Sequence, residues 1–195
     1  QDARRRHLKP GGLMIPSRIT QYVAPVIAPR LDRDLRAWER IGHGLDLSAA
    51  QAMSFNNVYV RTVQPGELMT HGASAKAWDE VDFSIDGRSN RKGEISWTIS
   101  DPSKVYGFAY WWVARLAGDI VLSTAPGAPS THWEQLYFPL SDPIEAKKGD
   151  GVTLSLRSKS SEEAGTHLAW TAIHSNAKGV ALRRQAHDLD KGFLP

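Results

Sequence analysis

The chain contains no cysteine. This rules out a disulfide framework, a thiolate-bound zinc ion and a thiol nucleophile, and it is compatible with a reducing compartment, so a cytoplasmic location is expected. No apolar run approaches the roughly 18 residues needed to cross a bilayer, and no basic, apolar and small-residue series marks a signal peptide, so no membrane partner is expected. Strong charge of either sign is also missing. Across 195 residues, 24 Lys and Arg stand against 21 Asp and Glu, and a net +3 gives no ground for a nucleic-acid partner. Residues 1–40 hold nine Lys or Arg against Asp2, Asp32, Asp34 and Glu39, a local +5 that leaves the remainder near −2. Arginines on amphipathic helix faces are ordinarily solvated, so this tilt has no functional reading. No Gly-x-Ser-x-Gly or P-loop spacing occurs. His43 and His71 fall in Gly-containing turns, His174 ends an apolar strand, and His167 and His187 lack the spacing of a metal face, so structural or solvent roles and no metal are expected.

What is present is an ordinary globular composition, 41 % hydrophobic and 23 % charged, enough for one sizeable core. The chain opens on Gln1 rather than Met, which suggests a piece of a longer or processed protein. Residues 1–8 carry charge at nearly every position and read as the end of a helix stopped by Pro10-Gly11-Gly12. The stretch LMIPSRITQYVAPVIAP then alternates through Ile19, Gln21 and Val23, and Pro16, Pro25 and Pro29 assign it to an edge or a bulged strand. Leu31, Leu35 and Trp38 follow helical spacing.

Beyond Asn56 the period becomes two, in VYVRTV, AKAWDEVDFSI, EISWTIS, KVYGFAYWWVARLAG, EQLYFPL, VTLSLRS and THLAWTAIHS, separated by Gly, Pro, Asp or Ser turns. Seven such runs predict a mainly β fold, an antiparallel β-barrel or sandwich. The run Val105 to Leu116 is apolar on both faces and belongs deep in a sheet. The stretch after Gly179 has the weakest pattern and is expected to be partly disordered.

One segment stands out: Ser123 to Leu156, STAPGAPSTHWEQLYFPLSDPIEAKKGDGVTLSL, built around Thr131-His132-Trp133. A turn carrying Pro126, Gly127 and Pro129 hands a His and a Trp to an apolar run, at the rim of β-structure where sites are usually built. The same pair at a strand start is also a common packing corner. The longer string resembles the Thr-His-Trp loop and following strands in the C-terminal β-barrel domain of protein arginine methyltransferases. His7-Leu8-Lys9-Pro10-Gly11-Gly12 resembles the turn late in the nucleotide-binding half of class I S-adenosylmethionine methyltransferases, and Gly12-Leu13-Met14-Ile15-Pro16-Ser17-Arg18 resembles the barrel entry that follows it. Ala37 to Ser48 is similar to the family's helical dimerisation arm, and Val63 to Leu68 to the strand after it. The resemblance covers residues 7–175 and departs at Gly42-His43-Gly44, where the family's arm carries an aromatic residue.

The resemblance implies that residues 1–12 close a preceding Rossmann-type methyltransferase domain. Residues 13–178 would then be a β-barrel domain with a short helical arm at about residues 31–54, inserted near the N-terminus, and residues 179–195 a tail. It implies a substrate-binding and dimerisation half of an S-adenosylmethionine-dependent enzyme, not catalytic on its own. Its partners would be its own Rossmann domain, a second protomer reached through the arm, and an arginine-containing protein substrate. The isolated chain would be a monomer or a weak dimer. No Gly-rich strand-turn-helix is present to hold S-adenosylmethionine, so no cofactor is expected on this chain alone. The family's two catalytic glutamates precede the barrel, and Glu162-Glu163 reads as a solvated turn. Thr131, His132 and Trp133 are carried over as substrate-binding. His132 alone is carried over into the catalytic site, where it would orient and screen the substrate. A guanidinium pKa above about 12 makes simple base chemistry difficult, and the family's acidic partner for this His lies upstream. Two competing readings are a non-catalytic β-sandwich that holds a sugar or peptide on exposed Trp and Tyr, and a self-association module. Seven Trp keep the first open, although Trp97, Trp111, Trp112 and Trp170 fall inside strand runs and are expected in the core.

Overall fold

The computed structural model describes residues 2–41, 43–163 and 165–191. Helix α1 (Asp2–His7) ends at the turn closed by Gly12 N–H on Lys9 O, with Gly11 at φ +74°, a conformation that favours glycine. Arg4 reaches across to Phe83 O and ties the helix to the sheet that follows.

All seven period-two runs contain strands. One sheet holds β1 (Arg18–Val26), β2 (Tyr59–Arg61), β3 (Lys76–Asp82), β5 (Ser103–Arg115), β6 (Val121–Ser123) and β7 (Gln135–Ala146), ordered β2-β7-β5-β1-β3 with β6 on the end of β5. The other holds β4 (Asn90–Thr98), β8 (Gly151–Ser161), β9 (Gly165–Ser175) and β10 (Ala181–Asp188), ordered β10-β9-β8-β4. Every pairing is antiparallel, and the two ladders are separate, which is the sandwich form of the expected class.

Of the two forms its prolines allow, β1 takes the bulged one: it lies between β3 and β5, with a bulge at Gln21/Tyr22. Its prolines are tolerated because they fall outside the doubly paired span: Pro16 precedes the strand, Pro25 follows Val23, the last residue paired with β3, and Pro29 caps the next helix. The stretch after Gly179 is more regular than its weak pattern predicts. Ala181–Asp188 is a strand paired along β9, followed by a 3-10 turn at Leu189–Lys191, while residues 192–195 lie outside the described residues.

The two faces of the first sheet bury different cores. Val23, Phe108, Phe138 and Leu140 face the second sheet and meet Trp97, Leu154, Leu156 and Trp170. Ala24, Val26, Ala109, Trp111 and Tyr137 face the other way, under Leu31, Leu35 and Phe55. Those last three come from helices α2 (Arg30–Leu35) and α4 (Ser48–Phe55), with α3 (Trp38–Ile41) between them. The helical spacing from Leu31 therefore holds only to Leu35. The chain then tightens at Arg36, and Trp38 stays 40 % exposed with its indole N–H on Ser54 Oγ. His43 and Gly44 both take positive φ and turn the chain back toward α4.

β5 is paired on both sides and apolar on both faces, as expected, and a register shift between Val105 and Gly107 re-phases it. At Gly107 a Cβ would stand 2.5 Å from Phe138 O and 2.6 Å from a Tyr137 ring carbon. Because the first obstacle is backbone, Gly107→Ala should destabilise by about 1–3 kcal/mol. Urea denaturation checks this, and an unchanged midpoint would show that the bulge can relax.

Candidate functional site at the end of the larger sheet

Sequence alone singles out Thr131, His132 and Trp133, and the structure places all three in one loop at the end of β5. The β5–β6 hairpin closes with Leu116 N–H on Ile120 O. Thr124, which follows β6, is buried and fixes the loop's start. Its N–H donates to Trp112 O (3.0 Å), and its hydroxyl accepts from Trp112 N–H (3.1 Å). Gln135 fixes the far end. Buried at the first position of β7, it donates from Nε2 to Thr124 O (2.8 Å) and accepts Val63 N–H at Oε1 (2.8 Å). A buried amide bonded at both ends of its group is costly to remove.

Between these anchors, Ala128 N–H bonds Ala125 O in a turn with Gly127 at φ +83°, and Thr131 Oγ1 donates to Trp133 O (2.8 Å). Trp133, 53 % exposed, meets Trp112 edge to face with centroids 5.7 Å apart, and the exposed His132 ring lies 6.2 Å from it. Trp112 is therefore half-buried at the rim rather than in the core, whereas Trp97, Trp111 and Trp170 are buried as expected. Glu134 accepts a hydrogen bond from Thr62 Oγ1 across the groove. The groove has a volume of about 300 Å³ and is lined by Thr62, Gln64, Pro129, Thr131 and Trp133 among others.

Chemically this is a wall rather than a reaction centre. Among the described residues His132 has no carboxylate in hydrogen-bonding contact, and the groove offers hydroxyls, one carboxylate and aromatic edges. The same end of the sheet receives the entering chain: Ser17 N–H bonds Arg115 O (2.8 Å) beside the β5–β6 hairpin. Leu13 and Ile15 on that entry, with Ile120 and Val121 on the hairpin, are exposed apolar side chains.

The other histidines lie elsewhere. His43 and His71 sit in turns, His167 pairs with Asp190, His174 Nε2 meets Asp150 at 2.8 Å in the interior, and His187 stacks on Trp170. Glu162 and Glu163 are exposed at the β8–β9 hairpin. Among the described residues no three His, Asp or Glu side chains converge as metal ligands, and no helix is long and apolar enough to cross a membrane. The signal that could have found Thr124 and Gln135 is a polar residue at an inward position beside an apolar run. Nothing in the sequence says that the two bond each other.

A two-sheet antiparallel sandwich with a helical insertion after its first strand, and a His-Trp loop at one sheet end, defines the class. The chain belongs to the arginine methyltransferase oligomerization subdomain family, whose model matches residues 17–173. It is 24 % identical over 95 % of its length to protein arginine N-methyltransferase 6 of Xenopus laevis, and 26 % identical over 85 % to that of Danio rerio. It covers 56 % and 50 % of those proteins, so it spans about half the length of the curated relatives it matches. By fold it is similar to a chain of the Trypanosoma brucei PRMT1 enzyme-prozyme heterotetrameric complex with AdoHcy. The TM-score is 0.80 at 18 % identity, covering 96 % of this chain and 61 % of that one. It also resembles Arabidopsis thaliana protein arginine methyltransferase 10, with TM-score 0.73 at 21 % identity, covering 96 % and 64 %.

Proposed function

We propose that this chain is the substrate-binding and dimerisation half of a cytoplasmic protein-arginine-methyltransferase-like enzyme and has no catalytic activity by itself. The observation that carries the reading is convergence. The entering chain, the exposed apolar residues Leu13, Ile15, Ile120 and Val121, and the Thr131-His132-Trp133 loop share one end of the larger sheet. A preceding domain docked there would cover that apolar end and bring its reacting groups up to the Thr-His-Trp wall. S-adenosylmethionine would supply the methyl group from that preceding domain. The residues present here do not fit the cofactor: the one passage from strand to α-helix among the described residues, Ile27-Ala28-Pro29 between β1 and α2, has no glycine to let it approach.

In this reading Trp133 forms one side of the substrate cleft and offers an aromatic face to a guanidinium, while His132 orients the substrate arginine without removing its proton. The arm, α2 to α4, would reach a second protomer. Trp97, Trp111 and Trp170 are buried, which leaves Trp38 and Trp133 as the exposed indoles and weakens a sugar-binding reading.

The test compares the 195-residue chain with a version extended through its upstream coding sequence, measuring S-adenosylmethionine binding and methyl transfer to an arginine-rich peptide. Only the extended protein should bind and transfer. In it, His132→Ala should lower kcat/KM by about 10–100-fold through substrate misplacement, with melting unchanged. Transfer by the shorter chain, or no binding by the extended one, would refute the proposal.

A further inference from the structure

A second concave surface lies away from the Thr-His-Trp end, on the face of the smaller sheet turned from the core. Register sets its floor: Ser155, Thr171 and Ala186 are directly paired neighbours on β8, β9 and β10, one residue out of phase with the core residues Leu154, Leu156, Trp170 and Ala172. Helix α4 forms one wall, with Gln51 and Met53 on the lining, and the open groove has a volume of about 910 Å³. The groove is built from separated parts of the chain, held together where Asn56 Nδ2 donates to Asp188 O (2.9 Å) and Asn56 Oδ1 accepts Asp188 N–H (2.9 Å).

The charges on this lining are unbalanced. Among the described residues, Arg157, Arg184 and Lys191 face Asp188 as the one lining carboxylate. Asp188 is already engaged, accepting Asp190 N–H at Oδ1 and lying 3.8 Å from Arg157 Nη2. Arg157 has little else to hold it. It is 71 % exposed, and its direct neighbour on β4 is Lys92, a like charge that destabilises the pair unless an anion lies between them. Arg157 and Arg184 sit on rungs four residues apart, about 13 Å along the strands at roughly 3.3 Å per residue. Glu94, whose carboxylate accepts Ser155 Oγ (2.7 Å), is on β4 outside the lining.

We infer that this groove docks an acidic, extended segment of a partner polypeptide. Its carboxylates would be met by Arg157 and Lys191 at one end and Arg184 at the other, and its backbone would run over the Ser155-Thr171-Ala186 floor. Cations spaced along a groove of small residues fit a peptide carrying acids about four residues apart. The aromatic residues on the lining, Phe55, Trp170 and His187, are buried and present no ring for bases to stack on, which disfavours single-stranded nucleic acid. The inference is independent of the Thr-His-Trp wall and of any methyl transfer.

The experiment uses the full 195-residue chain and a fluorescein-labelled eight-residue peptide of alternating Asp and Glu, followed by anisotropy at low and physiological salt. Arg157→Glu/Arg184→Glu should weaken binding at least tenfold. Lys147→Glu/Lys148→Glu, the same charge change at the β7–β8 turn, should alter it less than twofold. Amide shifts of the unmutated chain on peptide addition should map to Ser155, Thr171 and Ala186, which decides the matter even if the double variant does not fold. Equal losses in both variants, shifts elsewhere, or binding to an eight-nucleotide oligouridine as tight as to the peptide would each overturn the inference.

Discussion

Trp170→Ala should destabilise the fold by about 3–5 kcal/mol, a fifth or more of the 5–15 kcal/mol that holds a typical domain together. The indole is 1 % exposed and joins the two sheets: it meets Phe138 edge to face at 5.3 Å and stacks on His187 at 4.8 Å with planes 13° apart. Truncation removes a whole indole's worth of contact from the inter-sheet core. It also strands the buried Pro139 carbonyl, which accepts the indole N–H at 3.1 Å, and an orphaned acceptor adds about 1–3 kcal/mol. Trp170→Phe separates the two effects, because it keeps most of the packing and loses the hydrogen bond. It should cost about 1–3 kcal/mol. Urea denaturation of both variants is the measurement, and a loss below about 1 kcal/mol for the alanine would mean that the two sheets are not held together there.

That core is largely readable in the sequence. Period-two alternation is imposed by the pleat, so wherever one face is buried the pattern appears in the residues, and all seven runs it marked hold strands. It failed where other constraints dominate. β1 reads equally as an edge or a bulged strand on account of Pro16, Pro25 and Pro29, and only the pairing of Arg18 to Val23 on both sides, with its bulge at Gln21/Tyr22, decides for the second. β10 reads as a tail because of its eight residues only His187 is buried, and Arg183 and Arg184 hide the alternation. Trp112 looks like its neighbour Trp111, but β5 outruns its cover on that face and leaves Trp112 at the rim.

The candidate site was legible as a string of letters and not as geometry. Thr131, His132 and Trp133 could be picked out by resemblance, whereas their supports Thr124 and Gln135 are unremarkable in sequence and acquire meaning only from bonds across 11 residues to each other and 72 to Val63. The basic groove was not legible at all. Its walls and floor come from α4, β8, β9 and β10, and no local pattern links Gln51 with Arg157 and Arg184.

The stacking partner of Trp170 should make the fold sensitive to mild acid. Burial pushes the His187 imidazole down to about 4, against a hydrogen bond with the Phe55 backbone that partly supports its protonated form. Its buried Nε2 has no hydrogen-bond partner among the described residues, as suits a neutral ring. The charged groups around it are Asp188, next in the chain, and Arg157, Arg184 and Lys191 on the adjoining groove. An unfolded His titrates near 6.5, so between pH 6.5 and 4 the unfolded chain takes up a proton that the folded one refuses. Stability from this residue is therefore complete above pH 6.5 and falls as the pH drops toward 4, by about 2–3 kcal/mol at pH 4.5. The window is distinct from that of Asp150, whose carboxyl is held below its usual range by the Lys147 backbone N–H and by His174. Its contribution is present above roughly 3.9 and fades only below that value. His187→Phe keeps a flat ring on Trp170 and removes the titration. Denaturation midpoints at pH 7.5 and 4.5 should fall markedly further for the unmutated chain than for the variant, and parallel pH profiles would show that the buried imidazole finds a way to charge in place.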